Sequence, residues 1–418
     1  MRRRQFMEVL GKSLISSAAL SPFDAFGQST ASRHLVDTPK KRAEYLARML
    51  KMLCTDIGIR VAGSPEFDKS AELIRREMAL SLPQTELDWF EFRGWRLREE
   101  PIFYCGGRSI ECYPFYGSED PPKDGARGVL KKLDGGPMPY AIVDADSGAA
   151  VAYMSISSYG RAVPNFMAPD SEIAAVPTVC IGKQDVAVLD AAAAASAPAR
   201  LHFEVEFVPG ARTCNIVGTL PGESDEEILV FAHADTTYNT PGANDNTASL
   251  IVVLMLAHAA ASGTRPKRTM TFMGTGAEEY GLLGAQHYAA RRAAEGTLKN
   301  IKYCVNFDSL TYGPNLYVHS NDEELTRIMD AIHDDLKPYN VFDPAYPIAF
   351  EHKDWLRGEV LPFSAAGART LDLNTRGYDE EQLPLWHRPE DTAETVPLDC
   401  VENSFLVFDE YLRRVQQL

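Results

Sequence analysis

The chain has 418 residues, 45% of them hydrophobic and 24% charged, with a formal net charge of -16. That length exceeds one ordinary core, so two domains are expected, and the composition is that of a soluble globular protein. The acidic balance argues against partners bound through the overall field, nucleic acid and anionic membrane alike, because both repel it.

Residues 1–27 read as an export address. Arg2, Arg3 and Arg4 precede Gln5, Phe6 and Met7, a weakly apolar stretch runs from Val9 to Leu20, and Ala25-Phe26-Gly27 supplies small residues for cleavage. An arginine pair followed one residue later by Phe is the twin-arginine pattern, which sends a protein to the periplasm or outside the cell. A spanning helix needs ~20 apolar residues. Lys12 and the serines interrupt this run, so no stable membrane insertion is expected after signal removal.

Lys41–Cys54 and Phe67–Leu80 carry helical periodicity around a Gly63-Ser64-Pro65 break, and Glu86–Phe92 alternates as a strand does. From residue 93 to 209 the chain becomes rich in Gly, Pro and short β-like runs: Tyr140–Val143, Val151–Ile156, Val176–Ile181 and Leu201–Val208. One Ala-rich helix, Asp185–Ala195, interrupts them. This stretch reads as an inserted β-rich domain. It has no cluster of histidines, so a gating or contact module without chemistry of its own is the expectation.

From Asn215 strands and helices alternate. Strands are expected at Glu227–Ala232, Arg268–Met273, Ile301–Phe307, Leu316–His319 and Arg369–Leu373. Helices are expected at Ala248–Ala261, Leu282–Arg292, Glu323–Leu336 and Pro397–Val415. The alternation predicts an α/β fold, a mixed and mainly parallel sheet flanked by helices, with ligands bound at the carboxyl ends of the strands. Residues 28–92 and 210–418 would form this discontinuous domain around the insert. Seven scattered cysteines with no CxxC pair argue against a zinc ribbon. Cys105 and Cys112 flank a Gly-Gly turn and could bridge in an oxidising compartment, and buried free thiols fit equally well.

The chemistry lies in where the metal-binding residue types fall. The Ile228–Ala232 run ends in His233-Ala234-Asp235, and Thr269–Met273 leads to Glu278-Glu279. Ile301–Phe307 ends in Asp308, and Asp245 lies in the loop that opens the next helix. Singly each is ordinary: a strand-end histidine, acids at a helix start, a cap. Jointly they gather at one sheet edge. Zinc takes imidazole nitrogen and carboxylate oxygen in four-coordinate sites with one position open to water. Two such ions ~3.5–4 Å apart can share a carboxylate, here Asp245. His233 and Asp308 would complete one site, Glu279 and His387 the other. Asp235 is placed to accept the other N–H of His233 and fix the ring. Glu278 is left as the general base. His258, His287, His319 and His352 have no such partners and are read as structural. No HExxH, GxSxG or GxxxxGK[ST] motif is present.

At these residues the chain resembles a known family. His233-Ala-Asp235, Pro241-Gly-Ala-Asn-Asp245-Asn, Gly276-Ala-Glu278-Glu279-Tyr-Gly-Leu-Leu-Gly284, Asn306-Phe-Asp308 and His387-Arg-Pro-Glu-Asp391-Thr are similar to the motifs of the co-catalytic zinc aminopeptidase and glutamate carboxypeptidase family, in the family's order. Asp56-Ile-Gly-Ile-Arg-Val-Ala-Gly-Ser64 is also typical. The resemblance implies two Zn2+ per chain, the same ligand roles, and a cis peptide at Asp245–Asn246. The insert resembles a protease-associated domain through Ala175-Val-Pro-Thr-Val-Cys-Ile-Gly182. One departure concerns the pocket: many relatives carry an Asp-His pair just before a Pro-Phe, where Glu359-Val360-Leu361 precede Pro362-Phe363 here.

The expected function is an exported aminopeptidase acting on peptide substrates. The alternatives are a carboxypeptidase or dipeptidase of the same fold, or a non-catalytic receptor-like relative. An aminopeptidase holds a free ammonium with carboxylates. A carboxypeptidase needs Arg or Lys, and Arg357, Arg369 and Arg376 lie where they could supply it.

Overall fold

A computed structural model describes residues 35–158, 160–166, 176–311, 315–336, 349–352, 358–376 and 385–418. The export segment expected at residues 1–27 lies outside them. Helix α1 (Pro39–Leu50) is capped by the Thr38 hydroxyl, which accepts from the Lys41 N–H, and continues into a π-helical turn over Lys51–Ile57. Helix α2 (Pro65–Ala79) begins at the Gly-Ser-Pro break, with Ser64 accepting from the Phe67 N–H and proline in the first turn.

The remaining elements, in chain order, are β1 (Gln84–Cys105), β2 (Arg108–Ile110), β3 (Cys112–Pro114), β4 (Ala126–Lys132), β5 (Tyr140–Val143), β6 (Ala150–Ile156), β7 (Thr178–Ile181) and α3 (Val186–Ala194). After them come β8 (Pro198–Leu220), β9 (Ser224–His233), α4 (Ala248–Ser262), β10 (Arg268–Thr275), α5 (Leu283–Ala294) and β11 (Ile301–Phe307). The chain closes with β12 (Asn315–Ser320), α6 (Glu323–Leu336), β13 (Ala349–His352), α7 (Leu361–Ala365), β14 (Arg369–Arg376) and α8 (Leu398–Val415).

The strands form one 14-stranded sheet in the order β13-β12-β14-β11-β9-β10-β8 and onward through β4-β5-β6-β7-β3, with β1 and β2 off this path. β9 pairs in parallel with β10 and β11, and β11 with β14. Antiparallel β8 and β12 border this parallel centre. Successive residues of β9 face opposite layers, as strand geometry requires. Ile228, Val230 and Ala232 enter a core with α1, α2, α4 and α8, whereas Leu229 and Phe231 pack with Tyr288 of α5 and Phe363 of α7. Helices therefore cover both faces. Every residue of α4 from Ala248 to His258 is buried, which explains its almost wholly apolar sequence.

A second core lies apart from these two. It is built from Phe103, Leu130, Tyr140, Ile142, Met154, Val179, Ile181, Leu189 and Leu201. β1 and β8 link it to the α/β sheet as one long antiparallel ribbon, from Gln84 opposite Thr219 to Cys105 opposite Ala199. Register shifts at Phe92/Gly94, Leu97/Glu99 and Glu99/Ile102 bend the ribbon where the sequence suggested that the strands stop. Cys105 and Cys112 are buried free thiols, as are the other cysteines except Cys400, which is free and half-buried.

Candidate metal centre

Three strand ends deliver side chains to the carboxyl edge of the sheet. His233 closes β9, Asp308 follows β11, and Glu278-Glu279 follow β10 after a Gly276-Ala277 turn. Asp245 lies in the Ala243–Thr247 turn that opens α4, and the Asp245–Asn246 peptide is cis. His387 comes from a loop before α8. Ala277, Ser309 and His387 all hold positive φ, at 58°, 56° and 55°. Non-glycine residues in this left-handed region are uncommon, and such backbone concentrates at functional sites.

The two oxygens of Asp245 face different imidazoles. Oδ1 lies 3.1 Å from His233 Nε2, and Oδ2 lies 3.4 Å from His387 Nε2. His387 Nε2 is also 2.9 Å from Glu279 Oε2, and His233 Nε2 is 3.9 Å from both Asp308 Oδ1 and Glu278 Oε2. Possible ligand atoms of His233, Asp245 and Asp308 converge within 4.8 Å, as do those of Asp245, Glu279 and His387. His233, Glu278 and Glu279 form a third such group.

Each imidazole is turned by its other nitrogen. His233 Nδ1 donates to the Asp235 main-chain carbonyl at 3.1 Å, and His387 Nδ1 to the Pro164 carbonyl at 2.8 Å. That tautomer aims each Nε2 lone pair at the carboxylates. The Asp235 carboxylate has a different task from the one its spacing suggested. It stands 3.9 Å from His233 Nδ1 and instead accepts the Glu278 and Glu279 main-chain N–H groups at 3.1 and 3.2 Å. It thus fixes the turn that carries both glutamates. Asp391 does the same for Asp245: its carboxylate accepts Asn244 N–H, Asn244 Nδ2 and Asp245 N–H at 2.8, 2.7 and 3.0 Å.

The electrostatics show what this cluster lacks. Burial alone would depress His233, yet Glu278, Asp245 and Glu279 raise it well above its ordinary value. His387 is opposed by burial in the same way and still pushed up to about 9 by Glu279 and Asp245. Burial, with Glu279, Glu359 and Asp308, holds the Glu278 carboxyl well above the carboxylate range against the pull of His233. Glu279 Oε1 is buried without a hydrogen-bond partner among the described residues. No Lys or Arg pairs with these carboxylates among the described ion pairs. Two oriented imidazoles, a carboxylate presenting one oxygen to each, and an excess of buried acids fit a pair of zinc ions. Asp308 is the open side, with 44% of its side chain exposed.

Several contributors were not visible in the sequence. Residues from the stretch read as an insert reach the centre, a contact that the expectation of a gating or contact module without chemistry of its own left unspecified. Besides Pro164, Arg161 bonds Glu390 at 2.7 Å, and Tyr116 lies buried near Glu279 and Asp235. Glu359 and Asp372 line a cavity of about 170 Å³ with His233, Glu278 and Asp308. Burial is the main reason that they rise to about 8 and about 7. His319, read as structural, lines the same cavity. Two other histidines are as expected. His258 contacts Ser81 Oγ at 2.6 Å and Tyr45 OH at 3.1 Å, and His287 contacts Asp88 at 3.2 Å. The side chain of His352 lies outside the described residues.

An imidazole and carboxylate cluster at the carboxyl edge of such a sheet is a metal-binding centre of the kind that activates water for hydrolysis, and comparison with known proteins makes the class specific. Residues 215–411 match the model of Peptidase family M28. That segment, a little under half of the chain, is similar to this family, and the protein is a zinc-dependent peptidase. It is 24% identical over 395 residues to Aminopeptidase YwaD of Bacillus subtilis (strain 168), covering 87% of this chain and 82% of that one. The fold is shared with a Peptidase M28 precursor from Shewanella amazonensis SB2B (TM-score 0.74, 17% identity, 91% and 93% of the two chains). It is also shared with BSAP, a zinc aminopeptidase from Bacillus subtilis (TM-score 0.67, 20% identity, 89% and 95%).

Proposed function

We propose that the chain is an exported aminopeptidase that holds two zinc ions and releases N-terminal residues from peptides. The observation that carries the two-ion reading is Asp245, whose oxygens stand 3.1 and 3.4 Å from the two oriented imidazoles. His233 and Asp308 would hold one ion, Glu279 and His387 the other, with Asp245 between them. Zinc bound there lowers the pKa of a water and polarises the scissile carbonyl. Glu278 Oε2 takes the proton of the attacking water and hands it to the leaving amine, a task suited to a buried carboxyl whose affinity for protons is raised. Asp235 holds the turn that carries Glu278 and Glu279 by accepting both main-chain N–H groups, and Asp391 holds the turn that carries Asp245 in the same way.

The choice of peptide end rests on the cavity beside the centre. Glu278, Asp308, Glu359 and Asp372 line it, and no Lys or Arg does among the described residues. Such walls attract an ammonium and repel a carboxylate. Arg369, which could have met a C-terminal carboxylate, is bound to Asp322 at 2.6 and 2.7 Å and to Glu324 at 2.7 Å. Arg357 and the side chain of Arg376 lie outside the described residues. Export is supported by the twin-arginine pattern of residues 2–7. The insert, residues 93–209, is read as a protease-associated-like domain that completes the site through Pro164.

A hydrolysis panel tests the reading. Free-amine aminoacyl substrates should be cleaved and N-blocked peptides spared. Cleavage of the blocked set alone would replace the aminopeptidase with a carboxypeptidase or endopeptidase.

A further inference from the structure

A cavity opens at the metal centre, with Glu278 and Asp308 in its wall. The same wall holds Asn306 of β11 and Asp372 and Asn374 of β14, with Glu359 from the turn before α7. Glu359 is 2% exposed and Asn306 4% exposed. Glu359 Oε1, Asn306 Oδ1 and Asn374 Oδ1 are all buried, and none has a hydrogen-bond partner among the described residues. The amide nitrogen of Asn306 is already used, donating to Asp372 Oδ1 at 2.9 Å. That bond fixes the amide so that its oxygen is the free end. The Thr275 hydroxyl lies beside Glu359 and can turn to donate to one carboxyl oxygen, which leaves the rest of the carboxyl's accepting capacity for a ligand.

Buried acceptors left unmade are costly, so a wall with three of them is incomplete without a donor. A water molecule has two hydrogens to give. A lysine ammonium has three and accepts nothing, and a guanidinium has five. Charge selects in the same direction: burial raises the Glu359 carboxyl to about 8, and a cation beside it draws it back to the ionised form, which accepts more strongly from that cation than from a neutral donor. An apolar side chain in this recess would leave all three oxygens unsatisfied. A site built to meet a donor rejects an analogue that lacks one.

We infer that this recess receives the side chain of the substrate's N-terminal residue and selects a basic one, with Glu359, Asn306 and Asn374 accepting from its cationic nitrogen. The inference rests on the aminopeptidase reading, which brings the N-terminal residue to this side of the centre. Glu359 is then a specificity-determining residue, distinct from the proton-transferring Glu278.

The test compares kcat/KM of the zinc-loaded protein on free-amine Lys, Arg, Leu and Ala p-nitroanilides. The Lys and Arg substrates should exceed the Leu substrate. Glu359→Gln should lower the Lys-to-Leu ratio by about tenfold to a hundredfold, mainly through KM for Lys, as the loss of one charge-assisted bond predicts. Asn374→Asp adds a charge to the same wall and should raise the ratio, which keeps the inference testable should Glu359→Gln not fold. A wild-type preference for Leu, or a ratio unmoved by both substitutions, overturns the inference and leaves the aminopeptidase reading standing. Cleavage of no free-amine substrate overturns both.

Discussion

Asp235→Asn separates two accounts of how this centre is held. Spacing alone assigns the Asp235 carboxylate to His233, and on that account the substitution should release the metal from the His233 side. In the structure the main-chain carbonyl of Asp235 holds His233 Nδ1, at 3.1 Å, and the carboxylate holds the turn of Glu278 and Glu279 through two N–H bonds of 3.1 and 3.2 Å. Asparagine keeps one acceptor oxygen and presents an NH2 group to the second N–H. One bond to a charged acceptor is lost, worth about 1.5–3 kcal/mol. If that cost falls on the placement of Glu278, it corresponds to a roughly tenfold to hundredfold drop in kcat. The assay is zinc content by mass spectrometry together with kcat on an aminoacyl substrate. The expected result is retained zinc and reduced kcat. Loss of about one zinc per chain, or unchanged kcat, would refute the assignment of the carboxylate to the turn.

Glu278→Gln should retain zinc and lower kcat by about 10²–10⁴, the usual contribution of a general base; hydrolysis at the wild-type rate would remove Glu278 from that role. Asp391→Ala strips the acceptor from three buried N–H donors. At about 1–3 kcal/mol each, it should lower the midpoint of thermal unfolding by several degrees and weaken zinc retention, and a midpoint equal to wild type would contradict this. His258 gives a pH prediction away from the centre. Burial, the largest cause, lowers it from 6.5 to about 4. The unfolded chain therefore binds a proton that the folded chain refuses between these values, and stability is lost as pH falls from 6.5 to 4, by up to about 3 kcal/mol. Denaturant melts of His258→Gln against wild type should show a flatter profile across that window, and parallel profiles would count against it.

Much of this centre was legible because zinc ligands must be particular side chains at particular places. His233 and Asp308 sit just past short, largely apolar runs that read as buried strands, and Glu278-Glu279 follow a third. What could not be read is what distance along the chain conceals. Asp391 is 146 residues from the Asp245 N–H that it accepts, and Pro164 is 223 from His387. No periodicity links such pairs. Asp235 does accept the other N–H of His233, through its main-chain carbonyl, but a spacing of two residues does not say whether a carbonyl or a carboxylate faces the ring, so the carboxylate's hold on the glutamate turn was not legible. Glu359 had one signal, its place before Pro362-Phe363 where the family resemblance led us to expect an Asp-His pair. The full length of β1 and β8 was hidden by Gly94, Pro101, Pro209 and Gly210. They read as strand breakers, but a two-stranded ribbon absorbs them in bulges and register shifts.

The central claim is that Asp245 lies between two metal ions. Anomalous diffraction at the zinc edge from crystals of the zinc-loaded protein tests it most directly. Two peaks are predicted, one on the side of His233 and Asp308 and one on the side of Glu279 and His387, with the Asp245 carboxylate between them. A single peak, or two peaks that do not share Asp245, would contradict the account.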